Sequence, residues 1–189
     1  MKNVAIFASG NGSNAENIIN YFSFKNNINV SLILTNNKDA FVIERAKKHD
    51  IPCFIFTSAE LKQTTLVLDK LSEFNIDFIV LAGFLLLIPQ NIIRAFPNKI
   101  INIHPALLPK YGGKGMYGDF VHEAVRQSGD TETGISIHFV SEKYDDGAVI
   151  FQARCLVTKE DTSETIAQKV HQLEYKYFPE IIEKVILGM

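Results

Sequence analysis

An amide and an imidazole, Asn102 and His104, lie two positions apart in an apolar run that begins at Ile100. Because successive side chains of a strand alternate between its faces, the two groups should project to the same side. Pro105 cannot continue a central strand, so His104 should lie at the strand's end. An amide donor beside a titratable ring suits acyl-type chemistry, in which one group binds an oxyanion and the other moves a proton. A buried Asn and His that only satisfy turn backbone would give the same pattern.

A glycine-rich segment, Ser9 to Asn14, follows the first apolar run and precedes a helical pattern. Glycines allow a tight turn and a close approach of ligand to backbone, and a helix N-terminus presents free N–H groups to an anion. The segment therefore predicts a phosphate site, although an ordinary helix N-cap at Ser13 is the simpler alternative. The spacing also fits the dinucleotide fingerprint G-x-G-x-x-A. That fingerprint expects an acidic residue where this chain has Thr35-Asn36-Asn37, which favours a single phosphate.

An acidic turn runs from Glu142 to Gly147. Either Asp145 or Asp146 could reach an imidazole at a strand end, and a nearby carboxylate favours the protonated ring. A solvated Asp-Gly turn between two strands is the alternative. Carboxylates can also bind a metal ion, but no His or Cys with ligand spacing accompanies them, so we expect no metal.

A second glycine-rich segment, Lys110 to Gly115, suggests a phosphate loop at first sight. It lacks the G-x-x-x-x-G-K-[ST] order in which a phosphate-binding loop places its glycines, lysine and hydroxyl. We interpret it as a mobile surface loop near the site.

Strand and helix patterns alternate through the first hundred residues. The predicted strands are 4–8, 30–34, 53–56, 78–82 and 100–103, and the predicted helices are 13–24, 40–49, 59–74 and 89–95. Continuous apolar strands in this order indicate a parallel sheet covered on both faces. Right-handed crossovers then give an α/β, Rossmann-like, doubly wound arrangement.

The second half of the chain has a different pattern. It predicts a helix over 119–127, two long strands over 134–140 and 149–157, and an amphipathic helix over 163–187 that is interrupted at Pro179. A smaller mixed sheet and a closing helix should therefore join the parallel half. Because no linker separates them, we expect a single domain over 1–189, made of a parallel half (1–103) and a closing part (104–189).

Composition narrows the function classes. The chain has 189 residues, 47% of them hydrophobic, and a net charge of −2, which gives no support to a nucleic-acid surface or a polybasic membrane patch. The longest apolar run, Phe78 to Ile88, is about half of a membrane span. No signal peptide is visible, and Cys53 and Cys155 form no CxxC pair, so we expect buried, inert thiols in a reducing, cytoplasmic compartment.

Four segments together resemble the glycinamide ribonucleotide (GAR) formyltransferases of purine synthesis. They are Ser9-Gly-Asn-Gly-Ser-Asn14, Leu81-Ala-Gly-Phe84, Asn102-Ile-His-Pro-Ala-Leu-Leu-Pro109 and Tyr144-Asp-Asp-Gly147. The third motif is typical of folate-dependent formyltransferases in general, and the first narrows the resemblance to the branch with a nucleotide substrate. The resemblance spans essentially the whole chain, so it implies a nucleotide-binding first half and a folate-binding, closing second part.

The resemblance also implies a reaction and its residues. The formyl group of 10-formyltetrahydrofolate would pass to the amine of GAR, two small-molecule substrates, on a monomer or weak homodimer. The catalytic trio would be Asn102, His104 and Asp145. The GAR-binding residues would be Gly12, Ser13, Asn14 and Glu174. The folate-binding residues would be Leu85, Leu86, Leu87, Ile88, Asn102, Ser141, Glu142, Lys143 and Tyr144.

In the expected mechanism, Asn102 and a protonated His104 donate hydrogen bonds to the tetrahedral oxyanion. Asp145 keeps the imidazole cationic, for which a modest upward shift from an ordinary pKa of about 6.5 is enough. The chain departs from the family at Leu86, where many relatives carry Arg, and at Ala106, where many carry Ser. The family's folate-binding Arg near residues 60–65 has no clear counterpart in this chain, where Lys62 is at most a stand-in.

Four other functions compete with this one. A methionyl-tRNA formyltransferase would need a C-terminal tRNA-binding domain and a basic face, whereas this acidic chain stops at Met189. A formyltetrahydrofolate hydrolase would carry an extra N-terminal domain, whereas the first predicted strand starts near Asn3. A redox module would use the first glycine segment for NAD, and a scaffold protein would have little use for an amide and an imidazole on one face.

Overall fold

Runs of buried apolar residues form the middle of one seven-stranded sheet. The computed structural model describes residues 1–188. The strands are β1 (Lys2–Phe7), β2 (Ile28–Thr35), β3 (Cys53–Ile55), β4 (Phe78–Leu81), β5 (Ile100–His104), β6 (Glu132–Phe139) and β7 (Val149–Leu156). The helices are α1 (Ser13–Phe22), α2 (Val42–Lys48), α3 (Ser58–Gln63), α4 (Leu66–Glu73), α5 (Gln90–Ala95), α6 (Asp119–Ser128) and α7 (Ser163–Leu187).

The strand order is β3-β2-β1-β4-β5-β6-β7. The first five strands are parallel, whereas β6 runs antiparallel to β5 and β7 antiparallel to β6. The predicted α/β class, with a parallel half and a smaller mixed part, is thus confirmed. After β3 the chain returns to the other side of β1, so the order reverses between β1 and β4. Open α/β sheets bind ligands at such a point, beyond the carboxyl ends of the strands.

Strand alternation divides the core between the two faces of the sheet. On β1, Val4 and Ile6 join one buried cluster, which α1, α2, α6 and α7 cover. Ala5 and Phe7 join the other, which α3, α4 and α5 cover. Both faces of the central strands are therefore buried, as their uninterrupted apolar sequence indicates. The functional division at residue 103 stays a prediction, because β6 continues the same sheet directly from β5.

The helix predicted over 59–74 is wrong, because the chain forms two helices there. Thr64 is extended, with φ −131° and ψ 172°, between α3 and α4. Its hydroxyl donates to the Glu60 carbonyl at 2.7 Å, and the Thr65 hydroxyl donates to the Asp69 carboxylate at 2.8 Å. Two adjacent β-branched residues with such local partners compete with helical hydrogen bonds.

The interruption predicted at Pro179 is also wrong, because α7 runs unbroken from Ser163 to Leu187. Proline has no N–H for the carbonyl four residues earlier, which is that of Tyr175. The side-chain amide of Asn17, on α1, donates to that carbonyl at 2.9 Å. A neighbouring helix therefore supplies the hydrogen bond that the proline removes.

Two smaller observations complete the fold. No helix in the described part of the chain, 1–188, is long and apolar enough to cross a membrane. Cys53 and Cys155 are half-buried free thiols rather than fully buried ones. Burial raises the pKa of Cys53 to about 11 and also raises that of Cys155, so both thiols are protonated and unreactive at neutral pH.

Candidate active site

A cavity of about 540 Å³ opens at the carboxyl ends of β1, β4 and β5. It has the position that the reversal of strand order predicts. Its lining combines both groups of residues that the sequence singles out, namely the β1–α1 turn and the end of β5. The lining includes Gly12, Ser13, Asn14, Leu85, Asn102, His104, Gly113, Lys114, Asp119, His122, Tyr144, Asp145, His171 and Glu174.

The β1–α1 turn lines this cavity and has no side chain that caps the helix. Gly12 precedes the helix in a left-handed conformation, with φ 73°, and no side chain caps the helix. A Cβ at Gly12 would lie 2.5 Å from Cγ2 of Val42, so only glycine fits. Ser13 is the first helical residue and not the N-cap, so the expectation of an N-cap at Ser13 is wrong. The first N–H groups of α1 have no partner within the helix and can bind an anion.

The end of β5 holds the amide and the imidazole against β6. Asn102 pairs with His138 and His104 pairs with Ser136 across the antiparallel ladder. The Asn102 Nδ2 atom lies 3.1 Å from Nε2 of His138. The Ser136 hydroxyl donates to the Ala106 carbonyl at 2.7 Å and accepts from the Leu108 N–H at 2.9 Å, which fixes the turn that follows His104.

His104 is buried, with only 3% of its surface exposed. Its Nε2 lies 2.7 Å from the carbonyl oxygen of Tyr111, which can only accept, so Nε2 carries a hydrogen. Its Nδ1 faces Oδ2 of Asp145 at 3.6 Å. The neutral ring therefore turns its lone pair toward the carboxylate side of the cavity.

Asp145 reaches this point from the loop between β6 and β7. Its backbone is left-handed, with φ 53°, which is uncommon for a residue with a side chain. The Gly113 N–H donates to its Oδ2 at 2.9 Å, and the Asn102 amide lies 3.5 Å from its Oδ1. The sequence left open whether Asp145 or Asp146 reaches the site, and it is Asp145 that lies near both Asn102 and His104. Asp146 instead points to Lys143, at 3.7 Å.

The charge state of His104 differs from the expected one. Burial lowers the pKa of His104 below its ordinary value, although the Asp145 carboxylate and the Tyr111 carbonyl act in the opposite direction. The expected upward shift was therefore wrong for the free site, where His104 is neutral at pH 7. Burial would raise the pKa of Asp145, but its contacts with His138, His104 and the Gly113 N–H lower it overall. Asp145 is thus ionised.

His138 is a site residue that the sequence reasoning missed. It is 2% exposed, its Nε2 lies 3.5 Å from Oδ1 of Asp145, and its Nδ1 lies 2.8 Å from the Phe139 carbonyl. Because a carbonyl only accepts, Nδ1 carries the hydrogen and Nε2 can accept from Asn102. Alternation along the predicted strand 134–140 could have placed Ser136 and His138 on one face, but the β5–β6 register was needed to bring them to the site.

Glu174 closes the other end of the cavity and is 4% exposed. Its Oε2 accepts from the Asn14 amide at 2.9 Å and lies 2.7 Å from Nδ1 of His171. This contact raises the pKa of His171, whereas burial lowers that of nearby His122. The Asn14 Oδ1 and His122 Nδ1 atoms are buried without a hydrogen-bond partner. Two unsatisfied polar atoms beside a buried carboxylate suit a ligand that carries hydroxyl groups.

A second, narrow cavity of about 50 Å³ adjoins the site behind Asn102 and Asp145. Of the predicted folate residues, six line it: Leu86, Leu87, Ile88, Asn102, Lys143 and Tyr144. Leu85 lines the large cavity instead, and Ser141 and Glu142 line neither. Ser141 accepts from the Lys143 N–H at 3.2 Å, and Glu142 accepts from Gln90 at 2.6 Å, so both shape the loop. Lys62 is exposed on α3, outside both linings.

The chain is similar to known proteins along nearly its whole length. A family model described as formyl transferase matches residues 2–182. The chain is 43% identical over 188 residues to the chloroplastic phosphoribosylglycinamide formyltransferase of Arabidopsis thaliana, with 96% of this chain and 64% of the plant protein covered. It is 38% identical over 196 residues to the phosphoribosylglycinamide formyltransferase of Bacillus subtilis (strain 168), with coverage of 100% and 96%.

The same likeness holds for solved structures. The crystal structure of phosphoribosylglycinamide formyltransferase from Bacillus halodurans superposes with a TM-score of 0.88 at 34% identity, covering 98% of this chain and 95% of that one. The match therefore includes the parallel half as well as the closing part. The chain spans less than two thirds of the plant relative but nearly all of both bacterial ones.

Proposed function

Since this chain belongs to the formyl transferase family, we propose that it transfers the formyl group of 10-formyltetrahydrofolate to the amine of GAR. The products are N-formyl-GAR and tetrahydrofolate, and the reaction belongs to de novo purine biosynthesis. The observation that carries the proposal is the convergence of Asn102, His104 and Asp145 with the β1–α1 turn on one cavity. A phosphate held at the turn would leave the other end of a nucleotide-sized substrate beside the reacting groups.

GAR binds with its phosphate on the N–H groups of Ser13 and Asn14, where the turn at Gly12 brings the backbone close. Its ribose lies toward Glu174, whose carboxylate can accept from hydroxyl groups. The formyl-folate lies against the apolar segment from Leu85 to Ile88, and the loop from Ser141 to Tyr144 covers it. Since the narrow cavity there measures only about 50 Å³, this loop must move outward to admit a pterin ring.

The attacking amine of GAR must lose a proton as it bonds to the formyl carbon. Neutral His104 can accept that proton at Nδ1, and the ionised Asp145, 3.6 Å away, stabilises the resulting imidazolium. The proton can then pass to N10 of the folate, whose bond to the formyl carbon breaks. This order of proton transfers replaces the expectation that His104 is cationic before the reaction begins.

The tetrahedral intermediate carries its negative charge on the former formyl oxygen. The Asn102 amide can donate to it, because its contact with Asp145 at 3.5 Å is long and its other hydrogen points to His138. His138 is therefore a positioning residue, which fixes the orientation of the amide.

An assay with GAR and a 10-formyl folate analogue tests the function directly. Omission of each substrate in turn separates the alternatives. We expect absorbance from the deformylated folate only when GAR is present. Release of formate without GAR would indicate a hydrolase, and an NAD-binding module would turn over neither substrate.

Three accompanying assignments are also proposals. The enzyme is a monomer or a weak homodimer, needs no metal, and works in the cytoplasm, which suits its two free, protonated thiols. Sedimentation of the purified chain at increasing concentration tests the oligomeric state.

A further inference from the structure

The proposed phosphate site lacks a cation in the turn itself. The lining of the large cavity contains three carboxylates, those of Asp119, Asp145 and Glu174. A phosphate dianion that enters this cavity meets a negative field, and backbone N–H groups supply only partial positive charge. Tight binding of a dianion therefore calls for a full positive charge within the same cavity.

The positively charged side chain that contacts the turn is already neutralised by an ion pair. Arg45, on α2, donates from Nε to the Asn11 carbonyl at 2.8 Å and from Nη2 to the Asn11 side-chain Oδ1 at 2.7 Å. It also forms an ion pair with Glu16. These contacts hold the turn from behind, but Arg45 does not line the cavity.

His171 is the next candidate for the positive charge that binds the phosphate, but a neighbouring carboxylate balances its charge. Its Nδ1 lies 2.7 Å from Glu174, and this partner is what raises the pKa of His171. Any charge that His171 gains is thus shared with a buried carboxylate.

Lys114 is the one Lys or Arg in the cavity lining of the described chain, 1–188. It is exposed, and within this part of the protein its ammonium group has no hydrogen-bond or ion-pair partner. Gly113 and Gly115 flank it, with φ 98° and 88°, and nothing lies within 4 Å of the position of a Cβ at either glycine. The backbone around Lys114 is therefore unobstructed, and its long side chain can reach a ligand in the cavity.

We propose that Lys114 binds the phosphate of the substrate opposite the β1–α1 turn and supplies the charge that the turn lacks. The inference rests on the proposed function and assigns to it a binding residue on the loop that follows β5. The phosphate would then be held between backbone N–H groups on one side and an ammonium group on the other. Lys114 is a binding residue and takes no part in the proton transfers.

The test combines a change in the enzyme with a change in the substrate. Steady-state rates are measured for wild type and Lys114→Met with GAR and with glycinamide riboside, which lacks the phosphate. For GAR we expect a five- to tenfold lower kcat/KM in the variant, through KM, with kcat within about twofold. For the riboside the two enzymes should differ by less than about twofold, because the partner of Lys114 is absent.

Two further variants control for charge and for folding. Lys114→Arg keeps the charge and should restore most of the lost kcat/KM. Lys110→Met removes a neighbouring lysine that pairs with Asp130 at 3.0 Å and lines a different cavity, so it should leave both substrates unaffected. An equal loss on GAR and riboside in Lys114→Met would overturn the proposal, as would a rise in KM for the formyl-folate alone.

Failure of the proposed function is recognised separately. Wild type that does not formylate GAR contradicts the function, whatever Lys114 does. NMR titration with ribose 5-phosphate and with ribose then tests Lys114 without turnover. Preference of wild type for the phosphate, reduced in Lys114→Met, supports the binding role. Equal affinity of both enzymes for ribose 5-phosphate, or none in either, overturns it.

Discussion

The two ends of the large cavity are built by different means. At the β1–α1 turn, the cavity is lined by residues adjacent in sequence, Gly12 to Asn14, whose backbone is set by a left-handed glycine and whose helix has no side-chain cap. At the end of β5, the cavity is lined by side chains from separate segments, Asn102 and His104 on β5 and Asp145 in the β6–β7 loop. His138, on β6, contacts Asn102 and Asp145 from outside this lining. The residues that form the first end are adjacent in sequence, whereas those that form the second come together only when the sheet has formed.

This difference determines which kinds of substitution should disrupt each end. A site made of backbone tolerates changes of side chain but not changes of backbone conformation. A site made of buried side chains fails when one donor or charge is removed, because each group is the partner of another. Substitutions at the two ends should therefore differ both in size of effect and in which kinetic constant they change.

The largest effect should come from Asn102→Ala. This change removes the proposed oxyanion donor at the side-chain end, and loss of one such donor typically lowers kcat by about 10²–10³. KM for GAR should stay nearly constant, since the phosphate is bound at the other end. Steady-state kinetics measure both constants, with Asn29→Ala on the exposed side of β2 as the matched control. An unchanged kcat would remove Asn102 from the mechanism.

A smaller loss, about tenfold or more in kcat, should follow Asp145→Asn, because the imidazolium would lose its counter-charge. The pH profile of kcat/KM also tests the direction in which the pKa of His104 changes. The acid limb reports the pKa of His104, which must be neutral to accept the proton. Asp145 raises that pKa and burial lowers it, so removal of the carboxylate charge should move the acid limb to lower pH.

Asp146→Asn is the control for this shift, because Asp146 is exposed and pairs only with Lys143. It should leave the profile where it is. If Asp145→Asn left the acid limb in place or moved it to higher pH, Asp145 would not act through His104.

The contrast between the two ends also explains what the sequence could predict. The β1–α1 turn and the pair on β5 are readable because their geometry follows from short-range rules, namely glycine conformation and strand alternation. The choice of Asp145 over Asp146 depends on a left-handed residue in a loop, and the role of His138 depends on the β5–β6 register. The net pKa shift of His104 depends on its burial, which no local pattern specifies.

The fold shows the same limit. Apolar patterns predicted the parallel strands and most helices. Strands buried on both faces of a sheet consist of nearly uninterrupted apolar residues, which makes them easy to recognise. Two helix boundaries were wrong for reasons that lie in side-chain contacts. The threonine hydroxyls at 64 and 65 divide one expected helix, and the Asn17 amide from another helix keeps α7 continuous at Pro179.

At the backbone end, Gly12→Ala should raise KM for GAR by roughly tenfold and lower the free energy of unfolding by about 1–3 kcal/mol. The added Cβ would meet Val42 at 2.5 Å, and the residue would have to keep φ 73°. Kinetics and chemical denaturation measure the two effects. Gly129→Ala is the control, because Gly129 is also left-handed, nothing lies within 4 Å of a Cβ there, and it lies outside the cavity lining, so KM should not change. Equal effects of the two substitutions would contradict a conformational role for Gly12.

Substitution of the side chains at that same end should have the smallest effect. Ser13→Ala keeps the backbone N–H of the first helical residue and removes only a hydroxyl, so KM for GAR should rise no more than about threefold. Ser13→Ala combined with Asn14→Ala should raise it further, because Asn14 also donates to Glu174. In both variants kcat should hold and KM for the formyl-folate should not change. A loss from Ser13→Ala as large as that from Gly12→Ala would mean that the hydroxyl, and not the backbone, binds the phosphate.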